Sequence, residues 1–595
     1  MKQTVLRVAT WLGSFIVAVR GISSYAPLTE GWWHVYSRWM SLGKLPYRDF
    51  ELLVPPGYPI LLHYATMVLG EDFLTLRVLG AVQIAFIGML VWTLTRRLAG
   101  ELFAVPISIA SVSYLCSGTA FISYDYVYTA LLFFMASLSL AVHVELDKKS
   151  GTRQNRFAWV LVGLLTGFTF LIKQTQGLAS VSAALLILVA SNRSDRGKLL
   201  EKFLKFTVGN AIAWAPVLAW LVINGVSPLN VVHAMTASQG PKGSTLEILF
   251  SWILDVFKWP QPIGIVQTVT PFVLIAVLAQ QHATFSTPSK KTQTLIGTGA
   301  SVGLILSWFL DWHDFRLIHV SLELAWHEFV LNATVGSWVG FAIYIATCWS
   351  DAKKRRLSVL LGISIGATVW ACAMSAGITE IGAFLSVALG FGALIDRVKR
   401  STPALVVVSL VIVAVAFGSW SKYENAPRYS WWGYSTATPE LSVARSNVGL
   451  TKGLHWDAVT LDAYQKTQEL LAAAKLCGGE VIAFPHVPLF QLDAGVLPMG
   501  RLANYWYDFS TQKEIRTEIR RIENAKISAI VLLELPDAVV EGHEILFNNG
   551  KPLAHRALYE TLTDLGTTKM NEAIQVPLGE DAFWHVFVDE CTSDS

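Results

Sequence analysis

Long apolar stretches alternate with short polar segments over most of the chain. A run of roughly 20 apolar residues is long enough to cross the hydrocarbon core of a membrane as a helix. The pattern predicts thirteen such spans, at residues 5–22, 79–95, 102–118, 126–143, 157–172, 175–191, 206–223, 262–281, 294–310, 328–348, 357–374, 377–395 and 403–419.

Basic residues gather in every second loop between these spans. Lysine and arginine collect in cytoplasmic loops, so the alternation predicts a cytoplasmic N-terminus and tests the span assignment. It places residues 23–78 and the C-terminal part, from about 420 to 595, outside the cytoplasm. The basic loops contain Arg96 and Arg97; Lys148, Lys149, Arg153 and Arg156; Arg193, Arg196, Lys198, Lys202 and Lys205; Lys290 and Lys291; Lys353, Lys354, Arg355 and Arg356; and Arg397, Lys399 and Arg400.

The composition agrees with a multi-pass membrane protein. Of 595 residues, 53% are hydrophobic and only 15% charged, and the mean hydropathy is +0.47. Soluble domains carry about 25% charged residues. The net charge of +3 indicates no particular partner, and the sequence contains no Walker loop and no nucleic-acid signature. Among the five cysteines, Cys477 and Cys591 fall in the outer C-terminal part, where a disulfide persists if they meet.

The texture of the sequence changes near residue 420. A polar linker rich in tyrosine and tryptophan is followed by helical patterns that alternate with short apolar strands, such as VIAFP and ISAIVLLEL. This alternation predicts a small α/β domain with a partly parallel sheet. The expected fold is therefore a polytopic α-helical membrane domain of about thirteen helices over residues 1–419, a linker over 420–450, and an extracytoplasmic α/β domain over 451–595.

The first outer loop carries the most distinctive pattern, TEGWWHVYSRWMSLGKLPYRDFELLVPPGYP. Trp32, Tyr36 and either Trp39 or Met40 share one face at helical spacing, which is typical of a helix at the bilayer surface. The apolar piece ILLHYATMVLG after VPPGYP is too short to span comfortably. We expect it to lie along the membrane or dip into it.

This loop resembles the GT-C glycosyltransferases, multi-span enzymes that use polyprenyl-phosphate sugars and include protein mannosyltransferases and aminoarabinose transferases. The resemblance is carried by Glu30 after the first span, the aromatic helix, the PYRDF and PPG segments, and Arg77-x-x-Gly80. The segment LLTGFTFLIKQTQGLA resembles the family's G-x-x-K-Q segment. The resemblance implies a GT-C-like catalytic bundle over 1–419, in which a carboxylate on the first outer loop takes the proton of an acceptor hydroxyl.

Mapped onto this chain, that catalytic carboxylate is Glu30. Many relatives have Asp-Glu at this point, whereas Thr29 precedes Glu30 here, so Asp49 stays open as the alternative base. Cations are needed where charge develops on the leaving phosphate. The predicted phosphate-binding residues are Arg77, Lys173 and Lys242, with Arg316 as a further candidate. Residues expected to line the cavity are Trp32, Tyr47, Arg48, Asp125 and Gln174, and Glu380 could also face it.

Together these features predict an inverting hexosyl- or pentosyltransferase of the cell envelope. It would move a sugar from a polyprenyl-phosphate donor to a glycan, lipid or protein hydroxyl at the outer face of the cytoplasmic membrane. No cofactor is expected, although Asp311, His313, Asp314 and His319 could hold a divalent metal. Three alternatives remain open: a transporter or flippase of lipid-linked saccharides, a polymerase of lipid-linked chains, and a non-catalytic scaffold.

Overall fold

The computed structural model describes part of the chain. The described residues are 2–19, 22–23, 30–117, 123–146, 157–237, 341, 344–345, 348, 350–374, 379–398, 405–406, 408–409, 411–412, 415, 419, 442–485, 488–507, 510–534, 536–577 and 583–589.

Most of the described residues before 420 lie in helices. They are α1 (Lys2–Val19), α2 (Trp32–Ser41), α3 (Gly57–Leu69), α4 (Phe73–Ala99), α5 (Glu101–Cys116), α6 (Tyr126–Leu146), α7 (Ala158–Ile172), α8 (Gln174–Asn192), α9 (Arg196–Ile223), α10 (Pro228–Ala237), α11 (Ala352–Ala373) and α12 (Thr379–Val398). Within the described ranges, six helices are long and apolar enough to cross a membrane, and α1, α5 and α7 are shorter apolar helices. These nine correspond to nine of the predicted spans. The predicted spans 262–281 and 294–310, and most of 328–348 and 403–419, lie outside the described residues.

Glycines allow helices α7 and α9 to pack closely. A Cβ added at Gly163 would collide with the backbone of Phe206, and one at Gly209 would collide with Val160. Small residues at a four-residue spacing let membrane helices approach in this way, because their association depends on close packing rather than on water exclusion. The approach fixes the position of α7, which ends immediately before Lys173.

A polar cluster joins several helices near the C-terminal end of α6. The carboxylate of Glu145 is 0% exposed. It accepts hydrogen bonds from Trp159 Nε1 (3.1 Å), Asn192 Nδ2 (3.2 Å) and Lys202 Nζ, and Arg356 donates to its backbone carbonyl (2.8 Å). Helices α6, α7, α8, α9 and α11 thus meet at one buried, fully bonded carboxylate.

The described part of residues 442–589 contains two sheets and five helices. Strands β1 (Ala444–Arg445) and β2 (His455–Trp456) form an antiparallel pair. Strands β3 (Glu480–Phe484), β4 (Ile527–Glu534), β5 (Asn571–Pro577) and β6 (Phe583–Val588) form a sheet in the order β3-β4-β6-β5. The β3–β4 pair is parallel and the other two are antiparallel, which agrees with a partly parallel sheet. The helices are α13 (Ala458–Leu476), α14 (Pro488–Asp493), α15 (Gln512–Glu523), α16 (Asp537–Asn548) and α17 (Ala554–Lys569).

The two faces of this sheet are covered differently. One face, with Ile530 and Leu532 of β4, packs under helices α15 and α17. The other face, with Val531 and Trp584, belongs to an apolar cluster that includes Trp39 and Phe50 of the loop between the first two predicted spans, residues 23–78, here called the first long loop. The C-terminal part therefore shares a core with the loop instead of standing apart from it.

The start of the C-terminal part also differs from the expectation. Ala444 pairs with Trp456, so ordered structure begins by residue 442, within the segment expected to be a linker. The other domain limits stay predictions. Cys477 is disulfide-bonded, and Cys591, with which the sequence leaves a disulfide open, lies outside the described residues.

Candidate active site

Aromatic side chains surround the start of the first long loop. Gly31 has a φ of +111°, a conformation that favours glycine, and helix α2 begins at the next residue. Trp33 is buried, 4.8 Å from the ring of Tyr58 and 4.8 Å from that of Tyr126. Of the predicted face of α2, Tyr36 and Trp39 are buried and Trp32 is half-buried, but Trp33 is buried too, so protein surrounds more of the helix than one face.

Glu30 and Arg77 form a buried bidentate ion pair. Glu30 is 3% exposed and Arg77 is 6% exposed. Arg77 Nε lies 3.0 Å from Glu30 Oε1, and its Nη2 contacts Oε2, while Nη1 donates to the backbone carbonyl of Ile22. The structure thus brings together Glu30, the predicted base, and Arg77, a predicted phosphate-binding residue. Both oxygens of Glu30 are hydrogen-bonded to Arg77.

The glycines of the two loop motifs permit close backbone contacts. A Cβ at Gly80 would collide with the backbone of Ser123, whose hydroxyl donates to the Arg77 carbonyl (2.7 Å). A Cβ at Gly57 would collide with the backbone of Leu171. Gly80 of the Arg77-x-x-Gly80 motif therefore allows the segment before α6 to pack close to α4, near Glu30. Gly57 of the PPG segment allows α3 to pack against the end of α7.

Asp125 lies at the start of α6, within the electrostatic reach of Glu30. Its Oδ1 accepts the backbone N–H of Val127 (2.9 Å), which is the arrangement of a helix N-terminal carboxylate. Desolvation raises the pKa of Asp125 to about 6. The hydrogen bonds from Val127 and the Trp33 side chain and the charge of Lys173 lower this pKa, and the charge of Glu30 raises it. Asp125 as a residue is half-buried, whereas Glu30 is 3% exposed.

Lys173 lies between helices α7 and α8, and its side chain points towards Tyr126. Its backbone is extended, with φ −146° and ψ 115°, between the end of α7 and the start of α8. The side chain is 7% exposed, and Nζ lies 4.9 Å from the centre of the Tyr126 ring. Gln174 donates to the backbone carbonyl of Leu53 (3.2 Å), which ties α8 to the first long loop. Lys173 therefore does not reach a span end merely to contact water; it is enclosed beside Asp125.

Asp49 has contacts of a different kind. Its carboxylate binds Arg48 through two hydrogen bonds (2.8 and 3.0 Å) and accepts the backbone N–H of Leu45 (2.8 Å). These bonds, led by the one from Arg48, lower the pKa of Asp49. Arg48 also donates to the backbone of Asn224, and the Tyr47 hydroxyl donates to Val54 (2.7 Å). The PYRDF segment is thus a hydrogen-bonded turn, and its described contacts do not include Glu30.

Several predicted residues cannot be compared with the structure. Lys242, Arg316 and the possible metal ligands Asp311, His313, Asp314 and His319 lie outside the described residues. Within the described ranges, no group of three or more His, Cys, Asp or Glu side chains could hold a metal ion. Glu380 is described and buried, 6% exposed, at the start of α12.

The sequence reasoning missed how two of the site residues are used. It assigned Arg77 to a phosphate, but did not predict the ion pair with Glu30, 47 positions away. It considered Asp125 as a cavity-lining group or as a helix N-terminal carboxylate, and not as the base. The available signal was the pair of tyrosines around Asp125, because rings on both sides of a carboxyl group at a span end indicate desolvation.

Comparison with known proteins gives a family model for one segment of the chain. Residues 54–222, which include Arg77, Asp125 and Lys173, match the family model described as dolichyl-phosphate-mannose-protein mannosyltransferase. No curated protein sequence matches the chain.

Solved structures resemble the chain as a whole. The apo oligosaccharyltransferase of Archaeoglobus fulgidus is 10% identical, with a TM-score of 0.51 over 92% of this chain and 71% of that one. The same enzyme in complex with Zn and sulfate gives 10% identity and a TM-score of 0.49 over 96% and 72%. ArnT from Cupriavidus metallidurans bound to undecaprenyl phosphate gives 12% identity and a TM-score of 0.35 over 99% and 98%.

The likeness to the apo oligosaccharyltransferase shows the fold. The chain shares its fold with the archaeal oligosaccharyltransferase, and it is a multi-pass membrane protein. The resemblance to the GT-C glycosyltransferases is therefore confirmed, with the mannosyltransferase family pattern carried by residues 54–222.

Proposed function

We propose that this protein is an inverting glycosyltransferase that moves a sugar from a polyprenyl-phosphate donor to an acceptor hydroxyl at the outer face of the cytoplasmic membrane. One observation carries the proposal: two carboxylates, Glu30 and Asp125, and two cations, Arg77 and Lys173, gather at one end of the bundle. Three of these four residues lie in the segment that matches the mannosyltransferase family.

The chemistry requires one base and one cation. The base takes the proton of the acceptor hydroxyl while the oxygen of that hydroxyl forms a bond to the anomeric carbon of the sugar. The bond from that carbon to the phosphate oxygen breaks, and polyprenyl phosphate leaves with the electron pair. A single displacement inverts the anomeric centre. A positive charge fixed beside the leaving oxygen stabilises the transition state, and Lys173 is suited to this role because it is already desolvated.

Asp125 is the base in this proposal. A general base works best when its pKa lies near the working pH, and burial brings the pKa of Asp125 to about 6. Both oxygens of Glu30 are engaged by Arg77, so Glu30 instead fixes the wall of the site and adds negative charge beside Asp125. This differs from the role that the resemblance implied for Glu30.

A membrane-facing surface supports a lipid-linked donor. Helix α3, which is held against the end of α7 by Gly57, exposes Tyr64 (62%), Met67 (69%) and Val68 (82%). Large apolar side chains at such exposure are stable where lipid, and not water, surrounds them. The predicted helix along the bilayer is thus next to Lys173, where the phosphate of a membrane-borne donor would arrive.

The test uses the purified protein in lipid vesicles with a labelled polyprenyl-phosphate sugar. We expect sugar transfer to an acceptor hydroxyl from this donor and none from a sugar nucleotide. Movement of the labelled lipid across the bilayer without transfer would contradict the proposal and favour a transporter.

Substitutions separate the three acidic candidates. We expect Glu30→Gln to lower transfer by weakening the hold on Arg77, and Asp49→Asn to lower it less, because Asp49 stabilises a turn. Loss of transfer in Asp49→Asn with full transfer in both Asp125→Asn and Glu30→Gln would show that the base is Asp49.

A further inference from the structure

The C-terminal part contacts the first long loop beside the candidate site. A Cβ added at Gly31 would stand 3.1 Å from the backbone nitrogen of Leu489, so the residue after Glu30 lies directly against helix α14. Arg38 of α2 donates to the backbone carbonyl of Leu492 (2.6 Å) at the other end of α14. The backbone next to Glu30 is therefore positioned by α14.

A second connection lies further along the loop. The backbone N–H of Glu51 donates to the carbonyl of Arg501 (2.8 Å), and the side chain of Arg501 forms an ion pair with Glu51 (2.8 Å). Residues 488–501 thus contact the loop at α14 and at Arg501. A segment that opened during turnover would have to break all these polar contacts.

The apolar contacts are more extensive still. Leu489 and Phe490 of α14 and Trp39 and Phe50 of the loop belong to one cluster, and each is at most 1% exposed. Burying a large apolar side chain stabilises by about 1.5–3 kcal/mol relative to leaving it exposed. Separating the two parts would expose side chains from both, so the docked arrangement is strongly favoured.

We propose that the C-terminal part is a fixed wall of the site and not a lid, and that Arg501 is a positioning residue for the loop that carries Glu30. This inference rests on the proposed glycosyltransferase function. It requires the lipid-linked donor to enter sideways from the bilayer, along the exposed face of α3, because the side towards the C-terminal part stays closed.

A cross-link tests the fixed wall. In the double variant Glu51→Cys/Arg501→Cys, oxidation would join the two parts where their backbones are already hydrogen-bonded. We expect the oxidised double variant to transfer sugar within about twofold of the same protein after reduction. A loss of tenfold or more on oxidation, recovered on reduction, would show that the parts must separate. Oxidised wild type and the two single variants control for Cys116, Cys348 and Cys372, which are free thiols.

Charge reversal tests the positioning role. We expect Arg501→Glu to lower kcat about fivefold, the effect of about 1 kcal/mol for an ion pair of this exposure, with the KM for the donor unchanged. Glu51→Arg/Arg501→Glu should restore kcat per folded molecule, which assigns the loss to this ion pair. The matched control is Lys466→Glu, which breaks the exposed Lys466–Asp462 pair (2.7 Å) on α13 and should leave kcat unchanged. An unchanged kcat in Arg501→Glu would overturn the positioning role.

The cross-link also gives a result that is independent of catalysis. Its yield is measured with and without polyprenyl phosphate in the vesicles. An equal, nearly complete yield supports the fixed wall even if the wild type transfers no sugar, an outcome that would contradict only the proposed function. A yield that falls when polyprenyl phosphate is added would overturn the fixed wall.

Discussion

Helix α6 has a carboxylate at each end, and the two differ in burial and in their hydrogen bonds. Glu145 is fully buried, and both of its oxygens receive hydrogen bonds, from Trp159 and Lys202 on one and Asn192 on the other. Asp125 remains partly exposed, receives hydrogen bonds from the Val127 backbone and the Trp33 side chain, and lies near the charges of Lys173 and Glu30.

This difference separates a structural carboxylate from a chemical one. Buried charge is tolerated when every oxygen is paired and bonded, and such a group then joins the elements that supply the donors. A carboxyl group in a desolvated site beside another carboxylate holds its proton more tightly, at a cost in stability, and such groups cluster at functional sites. Glu145 fits the first description and Asp125 fits the second.

The largest effect is expected on the rate of sugar transfer, when the carboxylate at each end of α6 is replaced by the matching amide. Asp125→Asn removes the proton acceptor, so sugar transfer should fall by about 10²–10⁴-fold, the usual contribution of a general base. Glu145→Gln removes a charge far from the reacting groups, so transfer per folded molecule should stay close to wild type. The measurement is the initial rate of transfer, normalised to the folded fraction. Equal losses in the two variants would abolish the distinction.

The next effect concerns folding at the Glu145 end. Glu145→Ala removes the buried carboxylate that bonds Trp159, Asn192 and the half-buried Lys202 and leaves an unfilled space, which should cost about 3–5 kcal/mol of stability. Thermal unfolding in detergent should show a clear fall in Tm. The control is Asp462→Ala, which removes an exposed partner and should leave Tm almost unchanged. A Glu145→Ala protein as stable as this control would contradict the structural role.

A smaller effect with the opposite sign is expected at Asp125. Its pKa is raised to about 6 in the folded protein, so the folded state holds the proton more tightly than the unfolded chain does. The stability from this proton is present below the unfolded pKa of 3.8 and is lost as the pH rises through about 6. At pH 8, Asp125→Asn should therefore raise stability, on the order of 1–3 kcal/mol, and the gain should disappear near pH 4. Lower stability of this variant at pH 8 would contradict the assignment.

The sequence was sufficient where a property depends on a single segment. Nine predicted spans fall on described helices, and the strands VIAFP and ISAIVLLEL were predicted because apolar periodicity is local. Glu30, Arg77, Asp125 and Lys173 were all selected from the sequence, since a charged residue at the end of an apolar run is conspicuous.

The sequence was insufficient where a property depends on which segments meet. Nothing in the periodicity of α14 indicates that Leu489 packs against Gly31, more than 450 positions away. The cluster at Glu145 was missed for the same reason, because its donors come from four other helices. The assignment of Arg77 to a phosphate likewise depended on its charge alone, whereas the structure pairs that charge with Glu30.

The central claim is that Asp125 supplies the base, and the dependence of transfer on pH tests it most directly. If transfer requires ionised Asp125, kcat/KM should fall tenfold per pH unit below a pKa of about 6. Glu145→Gln should keep this acid limb, and Asp125→Asn should lose it along with most of the rate. A rate that stays constant down to pH 5, or the same acid limb in Asp125→Asn, would contradict the account.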